Sequence, residues 1–282
     1  MSQPLSVRTL HDAIQGLSGA AKTQSGGHIK PLHFHCSTRL ILEGGFPPEW
    51  LLPRPGLAAI GRNNLEYTLQ PDPKAQNDSE YSVLGGIKHK SVDVTVMVPG
   101  IGPALGISAK STGNAFRNLT NRMEEALGDC ANIHMMYPGF VFGFLHVLKH
   151  ATLSAVGPAD ASFDDHGQPM DRIKRYHDVF ISLSGRTTVT DPAMRYESVG
   201  LVVYQKHEGK VQIVHDFPPR DSPVHYASFF QRLYAAYDLR YAYPDSSGRS
   251  HRKAWTIKNL TIPARFDEET GFPWEARRDD GS

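Results

Sequence analysis

The chain has 282 residues, 40% of them hydrophobic and 21% charged, and a formal net charge of +1 at pH 7. This is an ordinary composition for a soluble globular protein with a sizeable core. A nucleic-acid surface would have to come from local clustering of basic residues, since the chain as a whole is not basic. Cys36 and Cys130 are the only cysteines, which excludes a disulfide framework and a cysteine-built zinc site. The N-terminus lacks the apolar core of a signal peptide, and no run approaches the ~18 apolar residues of a membrane helix. These features point to a soluble, cytoplasmic protein with no membrane partner.

In chain order, residues 1–27 are small and polar, with a short helix expected at 7–17. Residues 31–42 alternate and are expected to form a strand. Pro47, Pro48, Pro53 and Pro55 then enforce an irregular connection. A helix is expected at 56–69 and a polar loop at 70–80. Two apolar strands follow, 91–98 and 104–110, joined by a turn rich in Gly and Pro. Phe116, Leu119, Met123, Ala126 and Leu127 then recur at helical spacing, so a helix is expected at 115–127.

The run FVFGFLHVL at 140–148 suits a buried central strand. A loop at 158–169 and a helix at 170–184 come next. Strands at 200–205 and 210–216 flank His207-Glu208-Gly209, a hairpin signal. A helix rich in aromatics is expected at 224–239, where Phe229, Phe230, Tyr234 and Tyr237 read as core. Beyond Tyr243 the chain turns polar and basic and reads as a loosely held tail. The fold class is α/β, a mixed central β-sheet flanked by helices, in one domain spanning 1–282. Its core runs from about 56 to 243, with N-terminal additions at 1–55 and the tail at 244–282.

Several of these residues carry chemistry. Asp93 lies inside an apolar strand, where a carboxylate is costly unless paired. Ser108 and Lys110 stand two apart on the next strand and share a face. An acid and an amine at one sheet edge suit phosphodiester hydrolysis, which needs an oxygen-ligated metal, an activated water and a cation for the developing charge. On the following helix, Glu124 borders the apolar stripe while Glu125 points almost opposite. Asn114, Arg117, Asn118, Asn121 and Arg122 approach or lie on this helix and offer contacts to phosphates or base edges.

Other groupings are weaker. His33 and His35 would share one strand face at metal-ligand spacing, but no matching downstream ligands stand out. His146 and His150 fall on a strand segment and would not share a helical face. Arg249, Arg252, Lys253, Lys258 and Arg265 form a basic stretch suited either to a DNA backbone or to a solvated tail. Arg172, Lys174 and Arg175 add charge on another helix.

The order Asp93, then Ser108-Ala109-Lys110 ending the next strand, then a helical Glu124, resembles the PD-(D/E)XK nucleases, the core of many restriction endonucleases. The usual second motif has an acid two before the lysine, where this chain has Ser108, and Val92 replaces the proline that usually precedes the first acid. One subgroup of type II restriction enzymes departs similarly, with a serine before the lysine. In that subgroup the missing acid is replaced from the next helix, after thirteen intervening residues; that count from Lys110 lands on Glu124.

The resemblance covers roughly residues 60–150 and implies a restriction endonuclease-like core. It further implies Asp93 and Glu124 as ligands of Mg²⁺ or Mn²⁺, the Ala109 carbonyl as a third ligand, Lys110 as catalytic lysine and Glu66 as a candidate auxiliary acid. The implied activity is site-specific cleavage of double-stranded DNA to 5′-phosphates by a homodimer or higher symmetric oligomer. Two alternatives stay open: a nucleic-acid-binding protein on the same fold with a weakened site, favoured by Ser108, and an α/β protein with no nucleic-acid role, favoured by the near-neutral charge.

Overall fold

The structure, a computed structural model, describes residues 5–19, 26–62, 66–112, 119–242, 251–262 and 277. In chain order the elements are β1 (Leu5–Ser6), α1 (Leu10–Ser18), α2 (Lys30–Leu42), β2 (Leu51–Leu52), β3 (Leu57–Arg62), β4 (Glu66–Pro71), β5 (Tyr81–Leu84) and β6 (His89–Val92). Then come β7 (Val94–Val98), β8 (Gly102–Thr112), α3 (Leu119–Met136), β9 (Val141–Lys149), α4 (Leu153–Val156), α5 (Asp171–Leu183), β10 (Ser198–His207), β11 (Lys210–Val214), α6 (Phe229–Arg240), β12 (Trp255–Ile257) and β13 (Leu260–Thr261).

The main sheet has six strands in the order β11-β10-β9-β8-β7-β2. It is mixed: β8, β9 and β10 run parallel, and the β7–β8, β10–β11 and β2–β7 pairs are antiparallel. The apolar run at 140–148 forms β9 near its centre, as its composition predicts, and all of β9 except Lys149 is buried. Alternation along β9 separates two cores. Val141, Leu145 and Val147 pack with residues of α1, α2 and α6, whereas Phe142, Phe144 and Leu148 pack with residues of α3 and α5. Helices therefore cover both faces of the sheet. No helix is long and apolar enough to cross a membrane among the described residues.

Residues 31–42 are the clearest correction to the sequence reading. They form α2 rather than a strand, with Pro31 in its first turn, where its missing N–H costs nothing. Ten consecutive-ranging positions from Leu32 to Leu42, Phe34 excepted, are buried. A helix buried on nearly all sides carries no one-sided apolar stripe, so its period was not visible. Within 56–69, where a helix is expected, the described residues are instead antiparallel strands, β3 paired with β4. Leu57 and Leu69 enter the core, and β12 adds to β4 as a third strand. Glu66, the candidate auxiliary acid, therefore opens a strand.

Smaller corrections concern lengths. The strand expected at 91–98 breaks at Asp93 into β6 and β7, and α3 continues past Leu127 to Met136. The expected hairpin at His207-Glu208-Gly209 is present, with φ of 50° at Glu208 and 83° at Gly209. The tail is not loosely held over 251–262, because Trp255 is buried in the core and its indole N–H donates to the Ile41 carbonyl. Phe229, Phe230, Tyr234 and Tyr237 are core residues, and both cysteines are buried free thiols.

A buried acid ties the ends of three elements together. Glu197 accepts from Arg186 at 2.8 Å, from Arg240 at 2.5 Å and from the Phe142 N–H at 2.6 Å, with His134 at 3.6 Å. Burial alone would raise its carboxyl, but His134, Arg240 and the Phe142 N–H together hold it below the usual range. Glu197→Ala leaves two buried guanidiniums uncompensated and is expected to cost about 3–5 kcal/mol in urea unfolding. Since the folded pKa is depressed, this stabilisation is complete above the ordinary value of 4.5 and is lost as pH falls through the folded value. A urea series from pH 7 to pH 3 checks both, and a wild-type-like midpoint for the variant would remove the network from the account of stability.

Candidate metal centre

The register of β7 against β8 builds the site. Val94 pairs with Ile107, so the preceding Asp93 comes opposite Ser108, with Lys110 two residues further along the same face. One carboxylate oxygen of Asp93, Oδ2, accepts from Ser108 Oγ at 3.1 Å, the Ala109 N–H at 2.8 Å and Lys110 Nζ at 3.0 Å. Three donors on one oxygen stabilise a carboxylate that is 9% exposed. Lys110 lies where β8 emerges from the core, its side chain 30% exposed and its position in register with His146 of β9.

The bend at Asp93 opens the site to both faces. Val92 packs in the α3–α5 core and Val94 in the α1–α2–α6 core, whereas a regular strand would send both to one side. From α2, His33 Nε2 stands 3.9 Å from Asp93 Oδ1. His33 Nδ1 stands 3.7 Å from Oε1 of Glu80, the residue just before β5. His33, Glu80 and Asp93 each offer a ligand atom within 4.8 Å of the others, the one such group of three among the described residues.

His33 is 1% exposed, and neither ring nitrogen makes a hydrogen bond of good geometry, the Ala109 backbone offering only a weak polar contact. Leaving such a group unpaired costs about 1–3 kcal/mol. Burial pushes its pKa down to about 4; Asp93 opposes the shift, and Lys110 and Lys30 add to it. The imidazole is therefore neutral at neutral pH and keeps a lone pair. The Glu80 carboxyl is pushed up, first by partial burial and then by Asp93.

The hairpin β5–β6 delivers Glu80. Tyr81 pairs with Val92, so Glu80 precedes the pair that Asp93 follows. The turn is clamped from α3 by Asn132, whose Oδ1 accepts from the Ile87 and Lys88 N–H groups and whose amide donates to the Lys88 carbonyl. A Cβ on Gly85 would lie 2.0 Å from the Asn132 amide nitrogen, so only glycine permits this approach.

The structure thus brings Asp93, Ser108, Ala109 and Lys110 together. Glu124 is exposed on α3, as is Glu125, which pairs with Arg122 at 3.1 Å; Glu124 does not join the His33–Glu80–Asp93 group. Asn121 and Arg122 are exposed on the same helix, and Asn114, Arg117 and Asn118 lie outside the described residues. His33 and His35 diverge on α2: His35 reaches the Tyr226 hydroxyl and the Arg8 carbonyl, away from Glu80. In the basic stretch, Arg252 is buried against Asp238 and the Gly44 carbonyl, Lys253 lies over the Tyr67 ring, and Lys258 is exposed. Arg249 and Arg265 lie outside the described residues.

Sequence reasoning missed Glu80, and it considered His33 only as a pair with His35 on one strand face. Gly85-Gly86 between two short β-prone runs is a hairpin signal that would have set Glu80 beside Asp93. Reading α2 as a strand paired His33 with the wrong neighbour, His35, in place of Glu80 and Asp93. No protein-family model matches the chain, and no curated protein or solved structure matches it.

Ser108→Ala removes one of three donors to Asp93 and is expected to cost about 1 kcal/mol. Asp93→Ala strands the Ala109 N–H and the Lys110 ammonium together and is expected to cost about 2–3 kcal/mol. Urea unfolding of both variants measures the difference, and equal losses would mean that the carboxylate does not organise this corner.

Proposed function

We propose that the protein is a divalent-metal-dependent phosphodiester hydrolase, a site-specific endonuclease of double-stranded DNA that leaves 5′-phosphates and acts as a symmetric oligomer. The observation that carries the reading is the Asp93–Lys110 pair. Its shared oxygen is saturated by three donors, while Oδ1 accepts no hydrogen bond among the described residues. An acid free on one side and tied to a half-exposed lysine on the other suits a cation and a phosphate held side by side. The order of elements agrees with the resemblance to PD-(D/E)XK nucleases: an Asp93 strand, an antiparallel Ser108–Lys110 strand, a helix, then a strand parallel to the second.

The residues fit a metal, since the site combines a free carboxylate oxygen with a buried imidazole that makes no hydrogen bond of good geometry. A divalent cation such as Mg²⁺ or Mn²⁺ at Asp93 would lower the pKa of a bound water and offset charge on the phosphate. Lys110 places a fixed positive charge 3.0 Å from the Asp93 carboxylate, where it stabilises charge developing on a phosphoryl oxygen. Ser108 and the Ala109 N–H hold the carboxylate in one orientation, so Asp93 needs no reorganisation when substrate arrives. Exposed Arg122 on α3 and exposed Arg172, Lys174 and Arg175 on α5 supply cations on the helices of one sheet face for a DNA backbone, and exposed Asn121 adds a neutral amide.

A second reading, a nucleic-acid-binding protein with a weakened site, is favoured by Ser108 standing where an acid is usual. Incubation of plasmid DNA with Mg²⁺ or Mn²⁺ separates the two. Discrete fragments support the endonuclease; retarded but intact DNA supports the binder. Lys110→Ala is expected to lower cleavage by at least a hundredfold, with DNA binding in Ca²⁺ retained because phosphate contacts elsewhere supply most of the affinity. Cleavage by the variant at the wild-type rate would remove Lys110 from the mechanism.

A further inference from the structure

We infer that His33, Glu80 and Asp93 form a three-ligand site that selects a nitrogen-accepting divalent transition metal, of the Mn²⁺ or Co²⁺ type, over Mg²⁺. This deepens the hydrolase reading through the shared Asp93 carboxylate, although metal binding can be measured without it. Three observations carry the inference. His33 is buried and neither ring nitrogen makes a hydrogen bond of good geometry, while Glu80 Oε1 lies 3.7 Å from Nδ1 and Asp93 Oδ1 lies 3.9 Å from Nε2. A cation takes one ring nitrogen, and one donor atom from each of His33, Glu80 and Asp93 already lies within 4.8 Å of the others. Donor atoms around a cation with bonds of about 2.0–2.2 Å stand about 3–3.5 Å apart, so binding draws the three side chains together.

The second observation is orientation. Ser108, Ala109 and Lys110 occupy Asp93 Oδ2, which leaves Oδ1 directed at His33 as the single ligating oxygen. The third is construction: the ligands come from α2, the start of β5 and the β6–β7 bend, and Asn132 clamps the hairpin that carries Glu80. A site drawn from three separate elements is rigid, and one nitrogen with two carboxylates matches transition metals. Mg²⁺ instead prefers an all-oxygen octahedron rich in water.

The experiment is titration of the metal-free full chain with Mn²⁺ and with Mg²⁺, followed by pulsed electron paramagnetic resonance of the Mn²⁺ form. One Mn²⁺ per chain is expected, bound at least tenfold more tightly than Mg²⁺ and showing ¹⁴N modulation from a coordinated imidazole. His33→Gln should abolish the modulation and bring the two affinities within about threefold, an order-of-magnitude expectation from the loss of the nitrogen ligand. Because His33 is buried, Glu80→Gln, on a half-buried residue outside the core, gives a second check and should weaken Mn²⁺ at least tenfold.

Absence of Mn²⁺ binding, Mn²⁺ bound without nitrogen modulation, or a loss with Glu124→Gln but none with Glu80→Gln would each overturn the assignment. Nitrogen-coupled Mn²⁺ in a protein that cuts no DNA would support the metal site and end the hydrolase reading. Lys110-dependent cleavage without nitrogen coupling would do the reverse.

Discussion

The parallel pairing of β8 with β9 runs in continuous register from Leu105↔Val141 to Thr112↔Leu148, and the rest of the molecule is arranged around it. Two adjacent parallel strands buried on both faces need a connection that leaves the sheet and returns, and α3 lies in that connection. Once β9 is central, its two side-chain sets demand two separate covers, which α3 and α5 supply on one side and α1, α2 and α6 on the other. The same register sets Ser108 beside Phe144 and Lys110 beside His146. The catalytic candidates therefore sit on the most firmly specified part of the sheet, at the end where β8 leaves the core.

Among the described residues, Glu43 and Glu197 are buried acids of one kind and Asp93 is of another. Glu43 is saturated by Arg39, Gln231 and the Tyr234 hydroxyl, and Glu197 by two arginines and a backbone N–H. Both belong to networks with no unused carboxylate, the condition under which a buried charge is tolerated. Asp93 differs. One oxygen takes three donors, the other faces an imidazole that makes no hydrogen bond of good geometry. Compared with Glu43 and Glu197, this corner has a local deficit that a cation would fill.

The cations divide in the same way. Arg39, Arg186, Arg240 and Arg252 are internal and hold acids or carbonyls, so the basic run near residue 252 is partly structural. The charges on α3 and α5 are exposed, and they stand on helices that cover the face from which Ser108 and Lys110 approach Asp93.

Sequence alone determined the parts whose physics is local. Period-two alternation set Ser108 and Lys110 on one face, the short Gly-Pro turn made their strand neighbour to that of Asp93, and the unbroken apolar run marked β9 as central. Those inferences need only strand geometry and short connections. The grouping of His33 and Glu80 with Asp93 was decided by tertiary structure. Helix α2 is buried on nearly every side, so no stripe revealed its period, and its alternating Leu32, Phe34 and Cys36 imitated a strand. Glu80 reads as a polar loop residue until the β5–β6 pairing folds it back toward Asp93. Glu124 stands at a spacing that suits a ligand, yet the phase of α3 leaves it in solvent, because which side of a helix faces the sheet is set by packing against α5 and the core, and a count along the chain does not contain that information.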